Sequence, residues 1–324
     1  MKTSLTAFAL LLAVCGAIFL YGPKADSKAQ ADAQVEVSST PFVPSLLPTP
    51  AGTEARIFAG GDMIFDRKIR VVSEARGADY PFSCIDPLIK QADFAVANLE
   101  GPITNNASRS VGTAPGSFDN YFFTFPTTTG ALLVRHNFRA VGIGNNHILN
   151  FGYAGLLSTQ VNLSRAGLGF FGGVEGNEGI YESDDNGVPL AFVGYNEFGG
   201  GTVAEVANNI KKEHDAGRVV IVYAHWGDEY IDASPRLRPV AELFSQSGAA
   251  AIIGMHPHVV LPHEYIGDTL VYYSLGNFIF DQYFSDDVDH GLTLILTVTK
   301  DGHVTAEEHP VTLNRDGTTC ESVQ

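Results

Sequence analysis

Two stretches decide how this chain folds: VVIVYAHWGDEY at 219–230 and AAIIGMHPHVV at 250–260. Each begins as a short, β-rich apolar run and ends in histidine. An uninterrupted apolar run of this length reads as a strand buried on both faces. Polar residues at the carboxyl end of such a strand lie where α/β sheets collect their ligands. Working outward, the same grammar recurs in RIFAGG (56–61), FAVANL (94–99), AVGIG (140–144), LAFVGY (190–195) and LVYYSL (270–275). Amphipathic stretches at 154–166, 203–216 and 236–247 separate the runs, so the class is α/β. The end of the chain, LTLILTVTKDGHVTAEEHPVTLN (292–314), reads as a strand, an Asp-Gly turn and a second strand.

Six strand ends share a chemical theme. They read Gly60-Gly61-Asp62-Met63, Asn98-Leu99-Glu100, Gly144-Asn145-Asn146-His147, Ala224-His225-Trp226-Gly227, Gly254-Met255-His256-Pro257-His258 and Ser274-Leu275-Gly276-Asn277-Phe278. Carboxylate, amide oxygen and imidazole together suit borderline or hard divalent cations such as Zn, Mn, Fe or Mg. Such a cluster most naturally activates water against a phosphorus or acyl centre. In an extended segment, the alternation His256-Pro257-His258 puts both rings on one side, within reach of neighbouring metals. Taken singly, each element has a plainer reading. Asp62 serves equally as a helix cap, Glu100 as a solvated loop residue, the Asn145-Asn146 pair as a turn, and His225 beside Trp226 as packing. The joint occurrence after successive strands is what favours a metal site.

Composition sets the limits. The chain has 324 residues and a formal charge of -16, so its surface repels nucleic acid and leaves no expectation of a nucleic-acid partner. An anionic substrate would need a metal or a local basic pocket. The three cysteines, Cys15, Cys84 and Cys320, are too few for a disulfide framework or a thiolate zinc site. Cys84 and Cys320 are free either to pair after export or to stay as buried thiols.

Residues 1–25 carry Lys2 and the run LTAFALLLAVCGAIFLY, which reads as a signal peptide or an N-terminal membrane anchor. Residues 26–53, rich in Ala, Ser, Thr and Pro, read as a flexible linker. The expected domain runs from 54 to 315, with 316–324 as a tail. This order places the domain outside the cytoplasm, tethered to the cell membrane or released if the leader is cleaved.

The ordered set GDMIFDR (61–67), NLEGPIT (98–104), GNNHILNFG (144–152), HWGDEY (225–230), GMHPHVV (254–260) and YYSLGNFIFD (272–281) resembles the CapA family of poly-γ-glutamate capsule synthesis proteins. That family belongs to the calcineurin-like metallophosphatase superfamily. The resemblance therefore implies a four-layer αββα sandwich of two mixed sheets flanked by helices. It also implies metal roles for Asp62, Glu100 (in the place of the bridging aspartate), Asn146, His225, His256 and His258, shared between two ions. His147 takes the place of the proton donor or charge-steadying neighbour. Arg67, which closes the first motif, is the candidate for gripping an anionic group, with an ordinary ion pair as its plainer role.

Two departures from ordinary metallophosphatases stand out. The opening Asp-x-His is missing, since Asp62 is followed by Met63 and Ile64, and Glu100 is one methylene longer than the usual aspartate. Met255 also stands where the family commonly has histidine. The implied function is capsule synthesis or export. The implied partners are an anionic polymer such as poly-γ-glutamate or a phosphorylated precursor, and capsule synthase subunits. A non-catalytic accessory protein and a general extracytoplasmic phosphoesterase are the competing readings.

Overall fold

The structure, a computed structural model, describes residues 53–176 and 179–322. The expected leader (1–25) and all of the expected linker but Thr53 lie outside the described residues. No helix among the described residues is long and apolar enough to cross a membrane.

The first half of the chain runs β1 (Glu54–Met63), α1 (Arg67–Arg76), α2 (Asp86–Ile89), β2 (Phe94–Leu99), α3 (Thr129–Arg135), β3 (Phe138–Gly142), α4 (Gly152–Ala166) and β4 (Gly169–Phe171). It continues through β5 (Ile180–Asp185), β6 (Val188–Asn196), α5 (Val203–Asp215), β7 (Val219–His225), α6 (Ser234–Gln246) and β8 (Ala249–Met255). The last part is β9 (His263–Ile266), β10 (Thr269–Tyr272), β11 (Asn277–Ile279), α7 (Asp286–Asp289), β12 (His290–Thr299), β13 (Val304–Leu313) and β14 (Thr319–Glu321).

These strands build two mixed sheets. One has the order β14-β13-β12-β1-β2-β3-β4, with β11 also paired to β1; the other is β5-β6-β7-β8-β10-β9. Strand periodicity explains the layering, because successive side chains leave opposite faces. Ile57 and Ala59 of β1, Phe94 and Val96 of β2, Ile221 and Tyr223 of β7, and Ala251 and Ile253 of β8 meet in one apolar layer between the sheets. Their neighbours point outward. Phe58, Ala95 and Ala97 pack with Ile69 of α1 and with Leu156 and Leu163 of α4. Val220, Val222 and Ile252 pack with Ile210 of α5 and with Leu237 and Phe244 of α6. Three apolar interfaces separate four layers, αββα, as the motif resemblance implied.

The parallel strands β1, β2 and β3 of the first sheet and β7 and β8 of the second all end toward the functional residues. Between them, the carbonyl of Gly276 accepts the Asp62 amide at 3.1 Å. A Cβ on Gly61 would lie 2.0 Å from that same carbonyl, so no side chain fits there.

The chain does not end in a tail at 315. Residues 319–321 form the edge strand β14 on β13, and Cys320 is disulfide-bonded to Cys84, 236 residues earlier. The bond fastens the turn before α2 to this edge. Sequence pattern alone does not show the strand because three residues carry no period. Replacing both cysteines with serine should lower the free energy of unfolding by about 3 kcal/mol. Denaturant titration of the two forms under non-reducing conditions checks this, and equal midpoints would count against a structural role for the bond.

Candidate metal centre

Every expected ligand sits at or just beyond a strand end. Asp62 lies at the end of β1, Glu100 follows β2, Asn146 and His147 follow β3, His225 is the last residue of β7, and His256 and His258 follow β8. The pair His256 and His258 is not held by strand alternation as its spacing suggests. β8 has already ended, and the two residues turn with φ of 93° and 58°, bringing their ring centroids to 6.0 Å. Positive φ in two non-glycine residues is a strained arrangement of the kind found at functional sites.

Glu100 lies at the middle. Its carboxylate is wholly buried, and neither oxygen has a hydrogen-bond partner. One oxygen is 3.9 Å from His225 Nε2, 3.8 Å from His258 Nε2 and 3.9 Å from His147 Nε2. The ligand atoms of Glu100, His225 and His256 all lie within 4.8 Å of one another, as do those of Asp62, Glu100 and His258. Asn146 Oδ1 joins the first group, 3.0 Å from His225 Nε2. His256 Nδ1 is also buried without a partner.

Asp62 has the opposite surroundings. It accepts the Asn98 side-chain amide at 2.7 Å and the His256 backbone N–H at 3.0 Å, and His258 Nδ1 is 3.5 Å away. Burial alone would raise its carboxyl, but the neighbouring histidines bring it down to about 2. The side-chain contact with His258 leads the lowering, followed by the nearby His225 and His258 rings and then the His256 N–H; burial holds His225 itself well below its ordinary value. Burial likewise lowers His256 to about 4, helped by the neighbouring His258. Burial and then the Asp62 charge push Glu100 well above the usual carboxylate range. Buried imidazoles, one low carboxylate and an unpartnered second carboxylate form a donor set that a divalent cation fits. The orphaned oxygens of Glu100 are the observation that decides the fit, since buried carboxylates are otherwise hydrogen-bonded or neutralised.

Behind the donors stand residues that fix their orientation. Asn277 gives its amide hydrogens to carbonyl and amide oxygens of His258, Gln282 and Val288. Its Oδ1 is therefore the acceptor 2.9 Å from His258 Nδ1, leaving His258 Nε2 as the free donor atom. His147 meets Asn150 Oδ1 through Nδ1 at 3.2 Å and rests on Phe123, ring centroids 4.4 Å apart. Burial lowers this ring to about 4. Arg67 lies between Phe123 and Phe280, 5.1 and 5.2 Å from their centroids, and commits its terminal nitrogens to Asp281 and Asn120. Its charge still reaches Glu100. Met255, by contrast, packs into the layer between the sheets.

With this geometry in place, comparison with known sequences is informative. Residues 56–282 match the family described as bacterial capsule synthesis protein PGA_cap. The chain belongs to that family. The matched span holds every candidate ligand, while β12 to β14 and Cys320 lie beyond it. The chain is 28% identical over 252 residues to the PGA biosynthesis protein CapA of Bacillus subtilis (strain 168), covering 72% of this chain and 65% of that protein. It is 27% identical over 254 residues to the capsule biosynthesis protein CapA of Bacillus anthracis, covering 72% and 61%. It thus spans less than two thirds of either relative. Among solved structures, TT1561 of Thermus thermophilus aligns with 79% of this chain and 99% of its own, at 15% identity and a TM-score of 0.42.

Three residues of the site receive no individual role from the sequence: Asn98 and Asn277, which stand among the six polar strand ends, and Glu229, which does not. All three lie inside the quoted motifs, and the signal available for Glu229 was its position four residues after His225. The ligand atoms of Glu229, His256 and His258 also fall within 4.8 Å of one another.

The raised carboxyl of Glu100 gives a signed prediction. A carboxyl whose folded pKa is raised contributes its stability below the unfolded value, near 4.5, and loses it as pH rises through the folded pKa. Metal-stripped wild-type protein should therefore lose stability relative to Glu100→Gln as pH rises from about 4.5 to 8, and added Mn²⁺ should reverse the order. Thermal melts across pH, with and without the cation, check both halves.

Proposed function

We propose that this chain is a divalent-metal-dependent hydrolase of bacterial capsule synthesis, acting outside the cytoplasm on an anionic surface polymer such as poly-γ-glutamate or on a phosphorylated precursor. The observation that carries the reading is the buried, unpartnered carboxylate of Glu100 ringed by three imidazole Nε2 atoms at 3.8–3.9 Å. Membership of the capsule synthesis family and the names of its two CapA relatives support the pathway. The apolar run at 5–21 supports export and a membrane tether, and capsule synthase subunits are the partners such a placement favours.

Two cations are proposed, one held by Asp62, Glu100 and His258 and the other by Glu100, Asn146, His225 and His256. Bound there, they would supply Lewis acidity toward an oxyanion and make a bound water acidic near neutral pH. The protein's own groups do the rest. His258, His225 and the His256 amide favour the ionised form of Asp62, which also accepts from Asn98, so one negative charge is in place before any substrate arrives. Asn277 holds His258 in the tautomer whose Nε2 faces Glu100. His147, with its Nδ1–H directed at Asn150, presents a bare Nε2 to the pocket. That nitrogen can take a proton from the attacking water and return it to the leaving oxygen, while Asn150 steadies the transient charge.

The accessory reading rests on the missing imidazole at position 64, where Ile64 is a buried apolar side chain. The two readings part at His147. Under hydrolysis, His147→Ala should keep its full metal content and lose about 10²–10⁴ in kcat, whereas His256→Ala with His258→Ala should lose metal and turnover together. Elemental analysis and turnover on a panel of phosphoesters and γ-glutamyl oligomers test this. Metal-loaded wild-type protein that turns over none of them would favour the accessory role.

A further inference from the structure

The position formed by Asp62, Glu100 and His258 lacks the imidazole that the superfamily pattern puts two residues after the first aspartate. Ile64 occupies that place and packs into the apolar layer under α1 and α4. Another carboxylate arrives from a different element. Glu229 lies on the loop between β7 and α6, and its oxygen falls within 4.8 Å of ligand atoms on both His256 and His258. Resting on the metal-dependent reading above, we propose that Glu229 is a protein ligand of the bound divalent cation, replacing the absent imidazole beside His258.

Three features aim it there. The amide of Tyr230, the next residue, donates to the carbonyl of Pro257 at 2.8 Å, so the loop is tied to the residue between the two histidines. Gly227 turns with φ of 89°, and a Cβ there would lie 3.4 Å from the Pro257 ring; its amide is fixed by the Glu197 carboxylate at 2.8 Å. The Tyr230 hydroxyl then accepts from Gln282 at 2.8 Å, Gln282 accepts from Asn277 at 3.1 Å, and Asn277 accepts from His258 at 2.9 Å. The path from Glu229 to His258 is therefore closed on both sides, once through Pro257 and once through Asn277. A carboxylate held this way is preorganised.

The donor atoms point in the same direction. Asp62 and Glu100 share His258 as a neighbour, and Glu229 reaches His258 and His256 from the other element. Glu229 is itself exposed, whereas Asp62 and Glu100 are wholly buried. An all-oxygen and imidazole set that is one nitrogen poorer than the superfamily pattern favours a harder ion such as Mn²⁺ over Zn²⁺.

The test is Mn²⁺ binding to the full chain, by calorimetric titration, elemental analysis and electron paramagnetic resonance, for wild type, Glu229→Ala, Glu229→Gln, Glu229→Asp and His225→Ala. Glu229→Ala and Glu229→Gln should lose one equivalent or bind it at least about 100-fold more weakly, beyond what residues behind a ligand usually cost. Glu229→Asp should restore part of the affinity, and in Glu229→Ala the spin-coupled signal of a Mn pair should give way to that of an isolated ion. His225→Ala should remove the other equivalent. Melting of the metal-free forms controls for folding, which an exposed side chain leaves intact. Wild-type stoichiometry and affinities in Glu229→Ala overturn the proposal, and do so even where turnover is lost, since Glu229 would then act on substrate while the hydrolase reading stood. One equivalent in wild type and none in Glu229→Ala supports Glu229 as a ligand and overturns the two-cation reading instead. Wild-type protein that binds no divalent cation overturns both.

Discussion

The rest of the molecule is arranged around one costly group, the carboxylate of Glu100, sealed from water with neither oxygen hydrogen-bonded. Leaving a buried polar group unsatisfied costs on the order of 1–3 kcal/mol, and a charged one more. Asp62 is just as buried, yet its carboxyl is driven down while that of Glu100 is driven up. The difference is local: Asp62 has the His258 and His225 rings and the His256 N–H beside it, while neither Glu100 oxygen receives a hydrogen bond. The fold thus favours the charge on Asp62 and leaves both oxygens of Glu100 unpartnered.

The sandwich turns that requirement into a link between its halves. Asp62, Glu100 and Asn146 hang from the ends of β1, β2 and β3, while His225, His256, His258 and Glu229 hang from β7, β8 and the loop between β7 and α6. Ligands for one centre therefore come from both sheets. Away from the site, the sheets are joined mainly by apolar contact, with polar links such as the Tyr223 hydroxyl to the Val96 carbonyl at 3.3 Å. A cation at the open ends would add a directional tie that hydrophobic packing lacks. β11 serves both sides, pairing with β1 through Asn277 and orienting His258 with the same side chain. The glycine at 61 is what lets that segment come so close.

Much of this is legible in the sequence because the strands are buried on both faces and so announce themselves as apolar runs. VVIVYAH and AAIIGM read as strands leading into histidine, and β7 and β8 end there. The long helices fall within two residues of the amphipathic stretches, since α4, α5 and α6 each bury one face. What the sequence hides are facts of tertiary placement. β14 has three residues and is held by a partner strand and a disulfide rather than by pattern. The geometry of His256 and His258 comes from positive φ, which spacing does not encode for non-glycine residues. Glu229 looks like one more acidic loop residue because its aim depends on Tyr230 bonding to Pro257, 27 positions away in the chain.

The two departures from the ordinary metallophosphatase pattern are best understood together. Ile64 replaces a donor with an apolar side chain that packs inward, which removes a ligand and strengthens the layer beneath β1. Glu100 is one methylene longer than aspartate, which extends its oxygens toward His225 and His258 of the opposite sheet and His147 of its own. A protein serving only as a docking surface has no use for a buried carboxylate that lacks every hydrogen bond, since an amide or apolar residue there would be more stable. The centre therefore has the donors to hold a cation, as the proposed function requires. Cation binding alone still falls short of catalysis, and here the anchoring of His147 matters. A ring held by Asn150 and Phe123, neutral, with its free nitrogen 3.9 Å from Glu100, is oriented toward the centre rather than packed away from it. On the proposed reading, that orientation supplies a proton-transfer group beside the candidate metal donors, which a hydrolase needs and a scaffold does not.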